Sequence, residues 1–330
     1  MADKAHRMTD EEIRKLEKEL KKIYQQANDD LTEKLEKTLE SLGDDIPQIY
    51  QEYKRLKADG LKDEAEAKLK EYKKAITDAT MKKEFYKGQI EQITDDISKL
   101  NERALAYSLD KIPKVYGLNY NTVGKGISNH INGYSFHLVD EHTVKRMSKR
   151  LTSRKLNKTR DKRWTSKKVN SQIMQGILQG EPIDDIAKRI QNVTDSTYKA
   201  SVRTARTMMT EAQNAGRLDC YHDLENDGLI IKKVWMATPD ERTRRSHLEL
   251  DGVEVGIDEP FETINGNKLM YPGDFDGEPE EIYNCRCTMV THITGFIDDD
   301  GVKHDINYLQ ETSKHEKAID EERANRGDEF

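Results

Sequence analysis

The sequence predicts a mainly α-helical N-terminal region of long amphipathic helices, followed by a small α+β C-terminal domain with a short antiparallel sheet. Three observations lead there. Apolar residues recur at three- and four-residue steps over much of the first 110 positions, the period switches to two after Gly228, and Asn265-Gly266 marks a hairpin. The 330 residues are 35% hydrophobic and 35% charged, which supports one or two modest cores and leaves much helical surface in water. The mean hydropathy of -0.92 agrees with elongated helices or with partners that cover exposed surface.

The first helix is expected from about Thr9 to Leu42, with Thr9-Asp10-Glu11-Glu12 as its cap. Ile13, Leu16, Leu20, Ile23 and Tyr24 form its stripe, continued by Leu31, Leu35, Leu39 and Leu42 until Gly43 and Pro47. A second helix is expected over Pro47 to Ala58 and a third over Lys62 to Leu109. Pro113, Gly117, Gly124, Gly126 and Gly133 then punctuate a stretch from Ile112 to Val139 that reads as a connection. Val144, Met147 and Leu151 share one face of the basic segment after it. Further helices are expected at Ser171 to Gln179, at Glu181 to Ile190, and from a cap at Asp195-Ser196 to about Leu224. Ala200, Ala205, Met209, Ala212 and Leu218 are the core candidates of the last.

After Gly228, Leu229 to Ala237 is the clearest strand. Pro239-Asp240 ends it and opens a short helix through His247. Val253 and Val255 form a small strand, and Cys287 to Ile293 a closing one. The division expected along the chain is a helical arm or bundle at 1–112 and a Gly-punctuated linker with the basic segment at 113–169. An α+β domain at 170–295 and an acidic flexible tail at 296–330 complete it.

Composition excludes several classes. No run approaches the roughly 20 apolar residues of a membrane span, and the N-terminus lacks the apolar core of a signal peptide. A protein made in a cytoplasm is expected, and its three cysteines (Cys220, Cys285, Cys287) are expected to be reduced. No phosphate-cradling glycine loop, paired-metal carboxylate cluster or nucleotide-binding fingerprint is present.

The net charge of -7 conceals an asymmetry. Between Glu141 and Asn170 there are 12 Lys/Arg against two acids, whereas 297–330 holds 11 acids against five. A local excess of +10 in an acidic protein points to phosphate, and the alternative is a solvated helix face. The candidate nucleic-acid contacts are Lys145, Arg146, Lys149, Arg150, Arg154, Lys155, Lys158, Arg160, Lys162, Arg163, Lys167 and Lys168, with Trp164 for stacking. No base-reading motif accompanies them, so binding is expected to be sequence-independent and salt-sensitive.

The densest chemistry lies in Trp235-Met-Ala-Thr-Pro-Asp-Glu-Arg-Thr-Arg-Arg-Ser-His247-Leu-Glu-Leu-Asp251-Gly252 and, after a Gly/Pro-rich stretch, Asn284-Cys-Arg-Cys287. His247, Cys285 and Cys287 have ligand types that suit a structural zinc. The fourth-ligand candidates are His292, Asp240, Asp251 and the pair Cys220/His222. The other readings are buried thiols beside a hydrogen-bonded histidine, or an active thiol. Asp240, Arg242, Arg244, Glu249 and Asp251 allow acid–base chemistry near His247, or Asp240 caps the short helix while Asp251-Gly252 makes the turn after it.

These residues carry a resemblance. Trp235, Asp240-Glu-Arg-Thr-Arg, His247, Leu250-Asp251-Gly252, Pro272 and Asn284-Cys-Arg-Cys, with Thr210-Glu211, Asn214 and Gly216-Arg217 before them, resemble the phage Mu F-like minor head protein family. The resemblance spans roughly 165–292, so that the 170–295 domain is similar to the Mu F-like one. Trp235, Asp240, Arg242, Asp251, Gly252 and Asn284 are then its structural signature. Many relatives carry Pro-His or a similar pair before Asn-Cys-Arg-Cys, where Ile282-Tyr283 stands here. The resemblance implies a non-enzymatic minor capsid protein of a tailed phage, inside the virion near the portal and in the host cytoplasm during assembly. Its implied partners are the portal protein, the capsid or scaffold interior and double-stranded DNA, in head assembly or DNA packaging and delivery. Homo-oligomers through the N-terminal helices are a further expectation. The alternatives are a metal-dependent hydrolase, nuclease or toxin-like enzyme in the C-terminal domain, and a helical scaffold that contacts RNA or an acidic protein.

Overall fold

The computed structural model describes residues 4–40, 46–80, 83–131, 134–152, 167–169, 171–172, 175–176, 181, 183–298 and 300–309. The architecture is the expected one, with long helices first and a small four-stranded antiparallel sheet near the end. The helices are α1 (Lys4–Glu40), α2 (Ile46–Ala58), α3 (Lys62–Thr80), α4 (Lys83–Ser128), α5 (Glu141–Met147), α6 (Lys149–Thr152) and α7 (Ile183–Asn226). Strand β1 (Leu229–Met236), helix α8 (Arg245–Leu248) and strands β2 (Glu254–Gly256), β3 (Phe261–Glu262) and β4 (Lys268–Leu269) follow. Helix α9 (Pro279–Ile282) and strands β5 (Thr288–Ile297) and β6 (Lys303–Leu309) complete the order.

The chain divides into two compact units, one of residues 1–17, 107–154 and 202–330, the other of 18–106 and 155–201. Three long helices, α1, α4 and α7, contribute residues to both. In the second unit, Leu31, Tyr50, Tyr72, Ile97, Ile186, Ile190 and Val193 form a buried cluster. The Tyr50 and Tyr72 rings stack there at 5.1 Å, which ties the α2–α3 hairpin together. Tyr24 is buried as its stripe predicts, and its hydroxyl meets Asn101 Oδ1 at 2.8 Å and Ser201 Oγ at 2.7 Å.

In the first unit the sheet runs β2-β1-β5-β6, all pairs antiparallel. The period-two pattern of β1 is real: Leu229, Ile231, Lys233 and Trp235 are buried on one face, while Val234, also buried, comes from the other and pairs with Val290 of β5. Helix α7 reaches the start of β5 through Arg217, whose guanidinium donates to Met289 O at 2.7 Å. Core candidates Ala205, Met209, Ala212 and Leu218 are buried and Ala200 is half-buried. No helix among the described residues is long and apolar enough to cross a membrane.

Several local expectations are corrected. Thr9 is not a cap, because α1 starts at Lys4 and the Thr9 hydroxyl donates back to Ala5 O at 2.9 Å within the helix. The expected third helix is described as α3 and α4, on either side of residues 81–82, which lie outside the described residues. Residues 113–128, expected as a connection, are the last third of α4. Its glycines admit neighbours instead of breaking the helix: a Cβ on Gly117 would sit 2.8 Å from Val144, and one on Gly124 2.3 Å from the Phe136 ring. Asp195-Ser196 lies inside the single helix α7 and starts nothing. The tail is not wholly irregular, since 303–309 is strand β6, paired to β5. The rest of the tail, 310–330, lies outside the described residues.

Candidate metal centre

The site is assembled by an excursion between β1 and β2. Trp235 N donates to Val253 O at 3.0 Å and Gly252 N to Trp235 O at 2.8 Å, which brings the chain back beside the strand it left. Gly252 makes that turn at φ +77°, a conformation that glycine adopts without steric cost. Asp251 fixes the other limb by accepting from Ala237 N at 2.9 Å. Within the excursion α8 presents His247, which is 1% exposed. Trp235, fully buried, sets its ring edge-on to His247 and to Phe261, with centroids 5.1 Å apart in each pair.

The second approach comes through α9, started by Pro279 at its first turn. Asn284 follows at φ +54°, the one left-handed non-glycine among the described residues and a type that tolerates it. Beyond it Cys285-Arg286-Cys287 runs extended into β5, where alternate side chains share a face. Both thiols therefore meet His247. Nδ1 lies 3.7 Å from Cys285 Sγ and 3.5 Å from Cys287 Sγ, and all three ligand atoms fall within 4.8 Å of one another. Arg286 engages Asp240 in a two-pronged ion pair.

On its far side, His247 Nε2 faces Glu281 Oε2 at 3.2 Å, off the line of a good hydrogen bond. Glu281 is itself held by Ser246 Oγ at 2.8 Å, Asn265 Nδ2 at 3.1 Å and Asn267 Nδ2 at 3.3 Å. Burial works against its charge, yet these donors keep the carboxyl below its ordinary range. The hydrogen bond between the thiols lowers Cys285 and, together with burial, raises Cys287. Partial burial likewise opposes the Asp240 charge, but Arg286 and Thr243 hold that carboxyl at about 2.

Of the sequence candidates, the structure brings His247, Cys285 and Cys287 together and leaves the fourth-ligand candidates elsewhere. His292 pairs with Glu254 at 3.0 Å and Asn307 at 3.0 Å. Asp240 is taken by Arg286, Asp251 by the Ala237 amide, and Cys220 is buried on α7 with its thiol pushed up by desolvation. His222 groups with Glu225 and Asp258 at the surface. Asp240 does not cap α8, whose N-cap residue is Arg244; it accepts instead from Arg242 N at 3.1 Å. Glu281 escaped the sequence reading, and no spacing in Pro279-Glu-Glu-Ile distinguishes it from Glu280. Asn214 was noticed only through the resemblance, and it proves a buried brace that donates to Pro272 O at 2.9 Å.

Among the basic-segment candidates, Lys145, Arg146, Lys149 and Arg150 are exposed on α5–α6, opposite buried Val144 and Leu151. Lys145 pairs with Glu141 at 2.6 Å, and Arg150 grips Asp219 with two bonds of 2.9 and 3.0 Å. Lys167 and Lys168 belong to the second unit. Arg154, Lys155, Lys158, Arg160, Lys162, Arg163 and Trp164 lie outside the described residues.

Comparison with known proteins agrees with the block around this site. Residues 167–290 match the family described as Phage Mu protein F like protein. A relative named NAD(+)–arginine ADP-ribosyltransferase EFV, from Enterococcus faecalis, is 38% identical over 151 residues, covering 46% of this chain and 29% of that protein. Minor head protein GP7 of Bacillus phage SPP1 is 31% identical over 155 residues, covering 44% of this chain and 50% of its own length. An uncharacterized protein of Haemophilus influenzae is 33% identical over 123 residues, covering 37% and 24%. The chain thus spans half or less of the length of these relatives. No solved structure matches significantly. Over residues 167–290, the chain is thus similar to the Phage Mu protein F like family.

Proposed function

We propose that the chain is a minor head protein of a tailed bacteriophage, carried in the virion inside the capsid near the portal. The observation that carries this is the joint match of 167–290 to the Phage Mu protein F like family and to a phage minor head protein. On this reading it acts in head assembly and in DNA packaging or delivery, with the portal protein and the capsid or scaffold interior as partners. The exposed cations of α5–α6 supply a sequence-blind contact to double-stranded DNA. The long N-terminal helices offer surface for self-association. The test is mass spectrometry of purified virions and emptied ghosts of the phage that encodes the chain. Presence in full virions supports the reading, and presence there but not in ghosts assigns it to delivery. Absence from both overturns it.

A second reading is enzymatic, favoured by the transferase-named relative. The shared part is less than a third of that protein, so its activity comes to this chain only if it resides in the shared part. Incubation with labelled NAD+ and an arginine-rich acceptor decides. Label transfer that follows the purified chain establishes the enzyme, and its absence leaves the structural reading.

A further inference from the structure

We propose that His247 Nδ1, Cys285 Sγ and Cys287 Sγ bind one Zn2+ ion, with solvent completing the tetrahedron, and that this ion staples the loop-rich part of the domain. The proposal stands on geometry and is independent of the head-protein reading. A tetrahedral site with Zn–S of about 2.3 Å and Zn–N of about 2.1 Å has an N···S edge of about 3.6 Å. The two edges here are 3.7 and 3.5 Å. An imidazole nitrogen has a single in-plane lone pair or hydrogen, so it cannot point at two sulfurs at once. A cation lying between the three atoms satisfies all of them.

The surroundings have the form that metal-bound histidines take. Glu281, itself 1% exposed and fixed by Ser246, Asn265 and Asn267, stands 3.2 Å from Nε2. An ionised carboxylate only accepts, so its nearness favours the hydrogen on Nε2, with the Nδ1 lone pair then facing the sulfurs. The donor set, two thiolates and one neutral imidazole, balances the charge of a divalent ion and suits zinc over calcium or magnesium. There is also structural work for the ion. Between β1 and β5, residues 237–287 hold only four-residue helices and strands of two or three residues. The ion would join α8 to the entry of β5 across 38 and 40 positions of chain.

The test uses the full-length chain, purified without chelator and analysed for metal, then stripped and titrated with Zn2+ or Co2+. About one zinc per chain is expected, with a melting temperature that falls on chelation and returns with zinc. Cobalt should give the intense visible bands of a tetrahedral site and thiolate charge-transfer bands. C285S, C287S and H247A should each lose stoichiometric zinc, whereas C220S, which alters a buried thiol outside the trio, should keep it. If those variants fail to fold, the cobalt spectrum of the wild-type chain decides alone. Less than a tenth of an equivalent of zinc after supplementation, an octahedral cobalt spectrum without thiolate bands, or a folded C285S that retains about one zinc would each overturn the assignment.

Discussion

Replacing Gly216 by alanine tests how closely α4 and α7 approach. In the middle of an exposed helix this change is stabilising, by about 0.5 to 1 kcal/mol, because glycine loses the most conformational freedom on folding. Here the new Cβ would lie 2.5 Å from the carbonyl oxygen of Tyr116 and 3.2 Å from its carbonyl carbon. Backbone cannot swing aside as a side chain can, so the helices must separate by several tenths of an ångström. That separation strains the ladder between them, in which Tyr116 and Tyr120 donate to Asp219 and Asp223. Overpacking of this kind costs about 1 to 3 kcal/mol. Set against the helical gain, the net loss is up to about 2.5 kcal/mol, or as much as roughly 10 °C in Tm for a unit of this size. Gly126→Ala is the control, with nothing within 4 Å of its Cβ position and a small gain expected. Circular-dichroism melts of the two variants beside wild type read the difference. A G216A protein as stable as G126A would refute the close crossing.

Three other outcomes follow from named contacts. Asp240→Asn should cost about 1 to 2 kcal/mol at neutral pH, after allowance for partial exposure. The Asp240 carboxyl sits at about 2 when folded, against an ordinary 3.8, so its contribution is complete above about pH 4 and fades as pH falls through 2. Acid denaturation curves of wild type and variant should therefore converge at the low end. Buried Lys233 gives the opposite slope: desolvation lowers it from 10.5 to about 8, so the unfolded chain holds the proton longer. Its burial cost is full below pH 8 and relaxes as pH rises toward 10.5, and melts of Lys233→Met should lack that alkaline gain. Finally, reversing Lys145, Arg146 and Lys149 to glutamate should weaken binding to random-sequence duplex DNA and flatten the log K against log salt slope by about 2.7. Arg150→Ala should act mainly on stability, since Arg150 already holds Asp219. An unchanged salt slope in the triple variant would remove α5–α6 from the DNA contact.

The strands were legible because alternation is a local signal: Leu229, Ile231 and Trp235 announce one buried face without knowledge of the partner. The hairpin was legible for the same reason, and Gly266 adopts the φ of +79° that Asn-Gly promises. Helix boundaries were not. Pro113 and the glycines near it read as breakers, whereas Gly117 and Gly124 are small so that Val144 and Phe136 can close on α4. Thr9 and Asp195 offer cap chemistry, but a threonine hydroxyl inside a helix is equally satisfied by the carbonyl four residues back, as Thr9 and Thr194 show. At the site, ligand types and the alternate spacing of Cys285 and Cys287 were visible. The hold on Glu281 was not, because Ser246, Asn265 and Asn267 reach it across 14 to 35 positions of chain.

The division of α1 between two units has a temporal consequence. Thr9 accepts from Asn119 at 2.7 Å, Asn119 in turn accepts from Arg217 at 3.1 Å, and Arg217 ends on Met289 O at 2.7 Å. The first turns of the chain thus wait for residues made about 280 positions later. At roughly 5 to 20 residues per second, that delay is about a quarter of a minute to a minute on the ribosome. Leu31 of the same helix, by contrast, packs with Tyr50, Tyr72 and Ile97, which are made far sooner. The order of synthesis and the order of closure run apart within one helix: its later turns find partners early, and the chain of bonds that ends its first turns is completed last.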